Sequence, residues 1–210
     1  MDIKYLAISA AAALTAVLGA TWLATSGFIT GGSSAFAQCC SGAVAGGDIG
    51  GPFSLIDETG QPVTDVDVIT APSIIYFGYT NCPDVCPVDT MRNAIAVEIL
   101  DERGITVNPI FITIDPARDT VDVVARFTDN FHDRMLGLTG SEEQVKAAAD
   151  AYRVYFNRHD DEDTEFYIVD HSAFSYIVLP ETGFADFVRR EITPEQLAEQ
   201  LACYAQATAN

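Results

Sequence analysis

The chain is 210 residues long and 49% hydrophobic, which suits one proper core with an appendage better than two full domains. Thirty Asp and Glu against eleven Lys and Arg give a formal net charge of −19. A field of that sign repels nucleic acid and anionic lipid head groups, since both need a basic footprint, and nucleic-acid binding is set aside as a function class.

Residues 5–30, "YLAISAAAALTAVLGATWLATSGFIT", carry no charge. At about 1.5 Å per residue a helix of this length crosses a hydrocarbon layer of about 30 Å, so residues 1–30 are read as one N-terminal transmembrane helix that serves as an anchor. The competing reading is a cleaved signal, for which Ala35, Phe36 and Ala37 offer a small-x-small site. Such signals have a shorter apolar region, of about 7–15 residues. Gln38 before Cys39 does not resemble a lipoprotein cleavage box, which wants a small residue there. Lys4 is the one basic residue nearby, and no charge follows until Asp48. That places the N-terminus in the cytoplasm and the body outside it: a single-pass inner-membrane protein whose soluble domain faces the periplasm or an equivalent compartment. Residues 31–51, ending in "SGAVAGGDIGG", read as a Gly-rich linker, and residues 52–210 as the exported domain.

Within that domain "PFSLIDETGQPVT" alternates as a short hairpin with its turn at residues 58–61. "SIIYFGY" is an apolar run of the kind that forms a buried central strand. After it, Val88, Met91, Ile95 and Ile99 recur at helical spacing and Gly104 stops the helix. "ITVNPIFITID" is a second strand region, with Pro109 expected to confine regular pairing to residues 110–114. Residues 119–132 predict a helix, followed by a short apolar run at 135–138. Ser141 to Gln144 form a capping box for a helix expected to reach about residue 156. "EFYIVD", "AFSYIVL" and "GFADFVRR" predict late strands, and Thr193-Pro194-Glu195-Gln196 opens the last helix. Strand, helix, strand, helix and then clustered strands indicate an α/β fold with parallel and antiparallel parts, for which a thioredoxin-like core with a mixed central sheet flanked by helices fits best.

Five cysteines need placing: Cys39, Cys40, Cys82, Cys86 and Cys203. An exported body permits disulfides, and the odd count leaves at least one thiol unpaired. Cys39 or Cys40 with Cys203 would staple the two ends of the domain. The other pair, in "GYTNCPDVCPVDT", follows a buried strand and precedes a helix, where α/β sheets expose their functional loops. Proline inside a helix is unfavourable, so the helix is expected to start at Pro87 with Cys86 as its cap. Both sulfurs would then face the positive end of the helix dipole, which favours thiolate. Thiolate serves metal binding and disulfide exchange alike. Three intervening residues, against two in thioredoxin-type enzymes, allow a disulfide or allow both sulfurs to open around an ion.

Two sulfurs leave a metal under-coordinated, and three histidines compete for the third position. His132 at a helix end reads as a solvated charge partner, and His159 in "NRHDDEDTE" as a loop residue. His171 lies with Asp170 in the break between two apolar strands. It is either a turn-capping residue or the third member of a Cys₂His site suited to copper or zinc. Asp170 either orients that imidazole or belongs to the turn. The acidic run at residues 160–163 reads as a solvated loop or, alternatively, a handle for a partner.

"GYTNCPDVCP", "FITIDPARDT" and "YIVDHSAF", in this order, resemble the SCO/SenC family of copper-binding assembly proteins for cytochrome c oxidase. The resemblance spans roughly residues 50–204. It implies a thioredoxin-like fold tethered by one N-terminal helix, and it carries the copper-ligand role to Cys82, Cys86 and His171. It also implies Asp115 and Arg118 as structural or site-supporting residues. The expected activity is that of a metallochaperone, taking Cu(I) and Cu(II) and delivering copper to the binuclear copper site on the oxidase's copper-bearing subunit. The alternative is a thiol–disulfide reductase, with Cys82 and Cys86 as catalytic thiols, that keeps that subunit or another copper chaperone reduced. A turnover enzyme is not required by the first reading. A peroxidase needs one exposed low-pKa thiolate with a resolving thiol nearby, and demands neither this cysteine spacing nor the histidine. A module that senses redox state or copper and signals through a partner, without turnover, is a further reading of the same residues.

Overall fold

The computed structural model describes Cys39, residues 49–159 and residues 167–208. The expected anchor, Cys40, most of the linker and the acidic run at 160–163 lie outside the described residues. Among the described residues no helix is long and apolar enough to cross a membrane.

The domain opens with the expected hairpin, β1 (Ser54–Asp57) and β2 (Pro62–Thr64), paired antiparallel from Ser54↔Thr64. The Asp57 carboxylate accepts from the backbone N–H groups of Thr59 and Gln61 and from the Thr59 hydroxyl, and Gly60 supplies the positive φ the turn needs. A single helical turn, α1 (Asp65–Val68), leads into β3 (Ser73–Gly78), every residue of which is buried. The helix after the cysteines, α2 (Val85–Glu102), returns the chain to β4 (Asn108–Thr113), parallel to β3.

Pro109 lies inside β4, contrary to the expectation that it would delay pairing. Asn108 N–H donates to Pro72 O on the β3 side, so the Pro109 nitrogen faces the other way. There the pairing with β5 (Leu136–Thr139) starts only at Ile110↔Leu136, and no ladder bond is forfeited.

Between these strands runs α3 (Val121–Thr128), shorter than the predicted 119–132 because Thr120 takes the N-cap and the Asp119 carboxylate is engaged elsewhere. The capping box predicted at Ser141 is present and opens α4 (Glu142–Ala151). That helix ends five residues earlier than expected: Tyr152 is buried against Phe53, Phe77 and Tyr176, and Arg153 reverses the chain at φ 56°. Phe156 then begins β6 (Phe156–Arg158), which pairs with β7 (Val169–His171) as a separate two-stranded ribbon. The other late strands, β8 (Ser175–Leu179) and β9 (Gly183–Val188), complete the main sheet, and the second capping box opens α5 (Pro194–Thr208).

The seven strands run β2-β1-β5-β4-β3-β8-β9, with β3, β4 and β5 parallel and the flanking pairs antiparallel. Side chains alternate across the sheet, which assigns the helices to its faces. Tyr76 reaches Asp89 of α2, Phe111 packs on Phe127 of α3 and Asp186 meets Tyr204 of α5, so these three helices share one face. Phe77 stacks on Tyr152 at the end of α4, which covers the other. The result is the expected thioredoxin-like α/β fold with a mixed central sheet. Cys39 is joined to Cys203 of α5 by a disulfide, one of the two staples the sequence allowed.

Candidate metal centre

Cys82 and Cys86 sit where β3 hands over to α2. The helix begins earlier than predicted, with Asp84 at the N-cap, Val85 first and Cys86 second, so Cys86 lies in the first turn and does not cap it. Pro87 is tolerated third, because the opening N–H groups of a helix have no intrahelical partner to lose. The loop before it folds over that terminus: Cys82 N–H donates to Tyr79 O at 3.3 Å, and Cys86 N–H donates to Cys82 Sγ at 3.5 Å. Gly78 makes the turn possible. A Cβ there would lie 2.8 Å from Tyr76 Cε1 and 3.0 Å from Cys86 Sγ.

The two thiols are electrostatically unequal. Cys82 is pulled down to about 4 by the Cys86 thiol that donates to it, helped by the N–H groups of Cys86, Asp84 and Val85 and opposed by burial. Cys86 is pushed well above the ordinary thiol range by the same contact and then by burial. Cys86 is fully buried, whereas Cys82 keeps 8% of its surface.

His171, 85 residues away in sequence, closes the site from the β6–β7 ribbon. Its Nε2 is 3.2 Å from Cys86 Sγ, and the sulfurs of Cys82 and Cys86 and a ring nitrogen of His171 all lie within 4.8 Å of one another. Its Nδ1 is 3.0 Å from Ser172 O. A carbonyl only accepts, so Nδ1 carries the proton and Nε2 turns its lone pair to the sulfurs. The ring stands edge-on to Tyr76 and Tyr79, at 6.2 and 5.9 Å between centroids.

Asp170 does not orient His171. Neighbours on a strand point to opposite faces, and its carboxylate meets His159 Nε2 at 2.7 Å. His132 is not solvated either; it pairs with Asp101 at 3.3 Å, far from the cysteines in the fold's connectivity. Asp115 and Arg118 support the ribbon that carries His171. Tyr167 OH donates to Asp115 at 2.6 Å, Arg118 pairs with Asp115, donates to Tyr167 O at 3.0 Å and lies 3.5 Å over the Tyr167 ring.

Sequence reasoning passed over Asp119, which is buried and accepts from the Thr80 N–H and from the hydroxyls of Thr80 and Thr113. It ties the cysteine loop to the end of β4, and burial raises its pKa. The signal was available: an Asp at the end of "DPARDT", just ahead of a helix that Thr120 already caps.

The donor set is two sulfurs and one imidazole nitrogen, with no carboxylate among them. Soft ligands of this kind select copper or zinc over calcium or magnesium. An ion with bonds of about 2.0–2.3 Å sets tetrahedral ligand atoms roughly 3.5–4 Å apart, a spacing bracketed by the 3.2 Å between Cys86 Sγ and His171 Nε2 and the 4.8 Å that bounds the whole set. Three donors converge among the described residues, one fewer than a closed tetrahedral site uses.

A family model described as SCO1/SenC matches residues 42–206 of the chain. Protein SenC of Rhodobacter capsulatus is 47% identical over 205 residues, covering 97% of this chain and 91% of that protein. Protein SCO1 homolog 1, mitochondrial, of Arabidopsis thaliana is 41% identical over 152 residues; the match covers 72% of this chain and 45% of that longer protein. The crystal structure of Arabidopsis thaliana ScoI with copper bound superposes with a TM-score of 0.69 at 39% identity, covering 75% of this chain and 99% of that one.

Proposed function

The chain belongs to the SCO1/SenC family, and from that premise we propose that it is a copper carrier that loads the binuclear copper site of cytochrome c oxidase. Cys82, Cys86 and His171 hold the cargo. The observation that carries this reading is the meeting of three soft donors, two from a loop over a helix terminus and one from a distant ribbon, within 4.8 Å. Closed structural zinc sites take four ligands; three with an open side suit an ion that must leave. Thiolates hold Cu(I), and the imidazole lets the same site take Cu(II).

Unequal burial orders the release. His171 is half-buried and Cys82 keeps 8% of its surface, while Cys86 is fully enclosed. A recipient thiolate therefore displaces an outer ligand first, forming one copper–sulfur bond as another breaks, and Cys86 lets go last. Copper keeps its oxidation state through such exchanges.

One observation favours the reductase alternative: a low-pKa Cys82 beside a high-pKa Cys86 is also how an attacking and a resolving thiol are arranged. The two readings part at His171. Copper stoichiometry of the reduced domain, residues 38–210, beside Cys82→Ser, Cys86→Ser and His171→Ala variants tests them. One tightly bound copper, lost in all three variants, is expected. Binding that persists without His171, or no binding at all, transfers the site to thiol exchange.

The setting proposed is a single-pass anchor at residues 1–30 with the domain on the non-cytoplasmic side. The uncharged run at 5–30 supports the anchor, and the Cys39–Cys203 disulfide supports an oxidising compartment. Partners are the copper-bearing oxidase subunit and, upstream, a copper chaperone or thiol oxidoreductase. Release of the full-length chain from membranes by alkaline carbonate would sink the anchor.

A further inference from the structure

Helix α2 has apolar residues on both sides. Its buried side mixes Ala94, Val97 and Leu100 with Asp89, Arg92 and Asn93, which are satisfied by Tyr76, Ser175, Arg190 and the carbonyls of Arg189 and Arg190. Its solvent side carries Val88, Met91 and Ile95, exposed by 59%, 42% and 36%. At 100° per residue these three, with half-buried Ile99, fall in one arc about a quarter of the helix wide.

The stripe is continuous with the metal centre. Val88 is two residues beyond Cys86, and exposed Pro83 with half-buried Val85 and Pro87 extend the apolar surface onto the loop that holds Cys82. Cys86 itself points the opposite way, into the sheet. The same arc is bracketed by acids: Asp84 at the near end and Glu98 and Glu102 at the far end, all exposed. None of the three is paired with a cation among the described residues. The cations of this region are used elsewhere, Arg92 in the buried network and Arg103 on Glu199.

We propose that this face of α2 docks the copper-exchange partner, and that the partner presents there an apolar ridge bracketed by Lys or Arg side chains. The proposal rests on the carrier reading. An apolar centre with an unneutralised acidic rim is complementary to such a surface and repels another acidic one. A partner lying along α2 has its tip over the N-terminal end of the helix, where Cys82 lies nearly buried and half-buried His171 completes the donor set.

The test uses the full-length chain loaded with one Cu(I) and, as probe, the soluble copper-binding domain of the oxidase subunit. Replacing Val88, Met91 and Ile95 together by Gln touches no ligand. The expected result is a roughly tenfold slower transfer to that domain, with capture of the copper by a small chelator unchanged. Raising the salt from about 50 to about 500 mM should slow the unmodified chain, and Glu98→Gln with Glu102→Gln should flatten that dependence. Unchanged transfer in the triple variant overturns the docking assignment alone. So does a change in oligomeric state with unchanged transfer, which would make a second copy of the chain the occupant. Failure of the unmodified chain to transfer copper to the oxidase domain, while a chelator still captures it, overturns the carrier reading itself.

Discussion

Cys82 and Cys86 are the same side chain in two environments, and the difference comes from backbone geometry. Cys82 accepts from the start of a helix and keeps a little exposed surface; Cys86 is enclosed by Tyr76, Gly78 and His171. The metal-free reduced domain is therefore expected to carry one thiolate at neutral pH, on Cys82. Its depressed pKa contributes stability in full above the ordinary thiol value of about 8.5, and that contribution is lost as the pH falls through about 4. Cys86, raised, acts oppositely and loses its contribution as the pH climbs above the ordinary value. Ultraviolet thiolate absorbance should show one group titrating near pH 4, and an alkylating agent at pH 6 should label Cys82 first. Labelling of both thiols only as the pH approaches 8.5 would contradict this. The thiol pair was legible in the sequence because its members lie four residues apart. Ser172 O as the partner of Nδ1 was not, since a carbonyl leaves no mark in the residue code.

At the level of elements, the signals closed within a few residues held best. Both capping boxes and the Asp57 turn formed where predicted, because each is closed within three or four residues. The periodic positions of α2 announced a helix correctly, and Val88, Met91 and Ile95 turn out to line its exposed side. Periodicity reports which side chains align, whereas burial depends on what packs there, and here Ala94, Val97 and Leu100 share the buried side with a polar network. The β6–β7 ribbon packs on the core through Val169 and Phe156, and Arg118, Asp115 and Tyr167 brace it from the side. Arg118→Ala should thus leave copper stoichiometry at one and weaken affinity by about tenfold, as losses of groups that orient ligands do. Competition against a chelator of known affinity would measure it. An affinity equal to that of the unmodified chain would show that the ribbon needs no such brace.

For the molecule as a whole, the disulfide joins Cys39 to Cys203 across 164 residues. Removing so long a loop constraint from the unfolded chain by Cys203→Ser should lower stability by about 2–5 kcal/mol. Because α5 packs against α2, that variant tests whether the staple also supports the site. The expectation is a lower denaturation midpoint with copper binding intact; a lost copper site would mean that α5 positions α2. The acidic surface, with a net charge of −19, acts at this scale too, through solubility and through the choice of partners.

The sequence by itself determined the class of fold and the closely spaced thiol pair, pointed to His171 once the three motifs were read together, and allowed a staple between the domain's ends. Those features are written in residue types and short spacings. Which cysteine is the thiolate, what Asp170 and Asp119 bind, and which side of α2 meets solvent were decided only by the tertiary structure. Each depends on groups brought together from distant parts of the chain, where desolvation and hydrogen-bond partners are set by packing and leave no local trace.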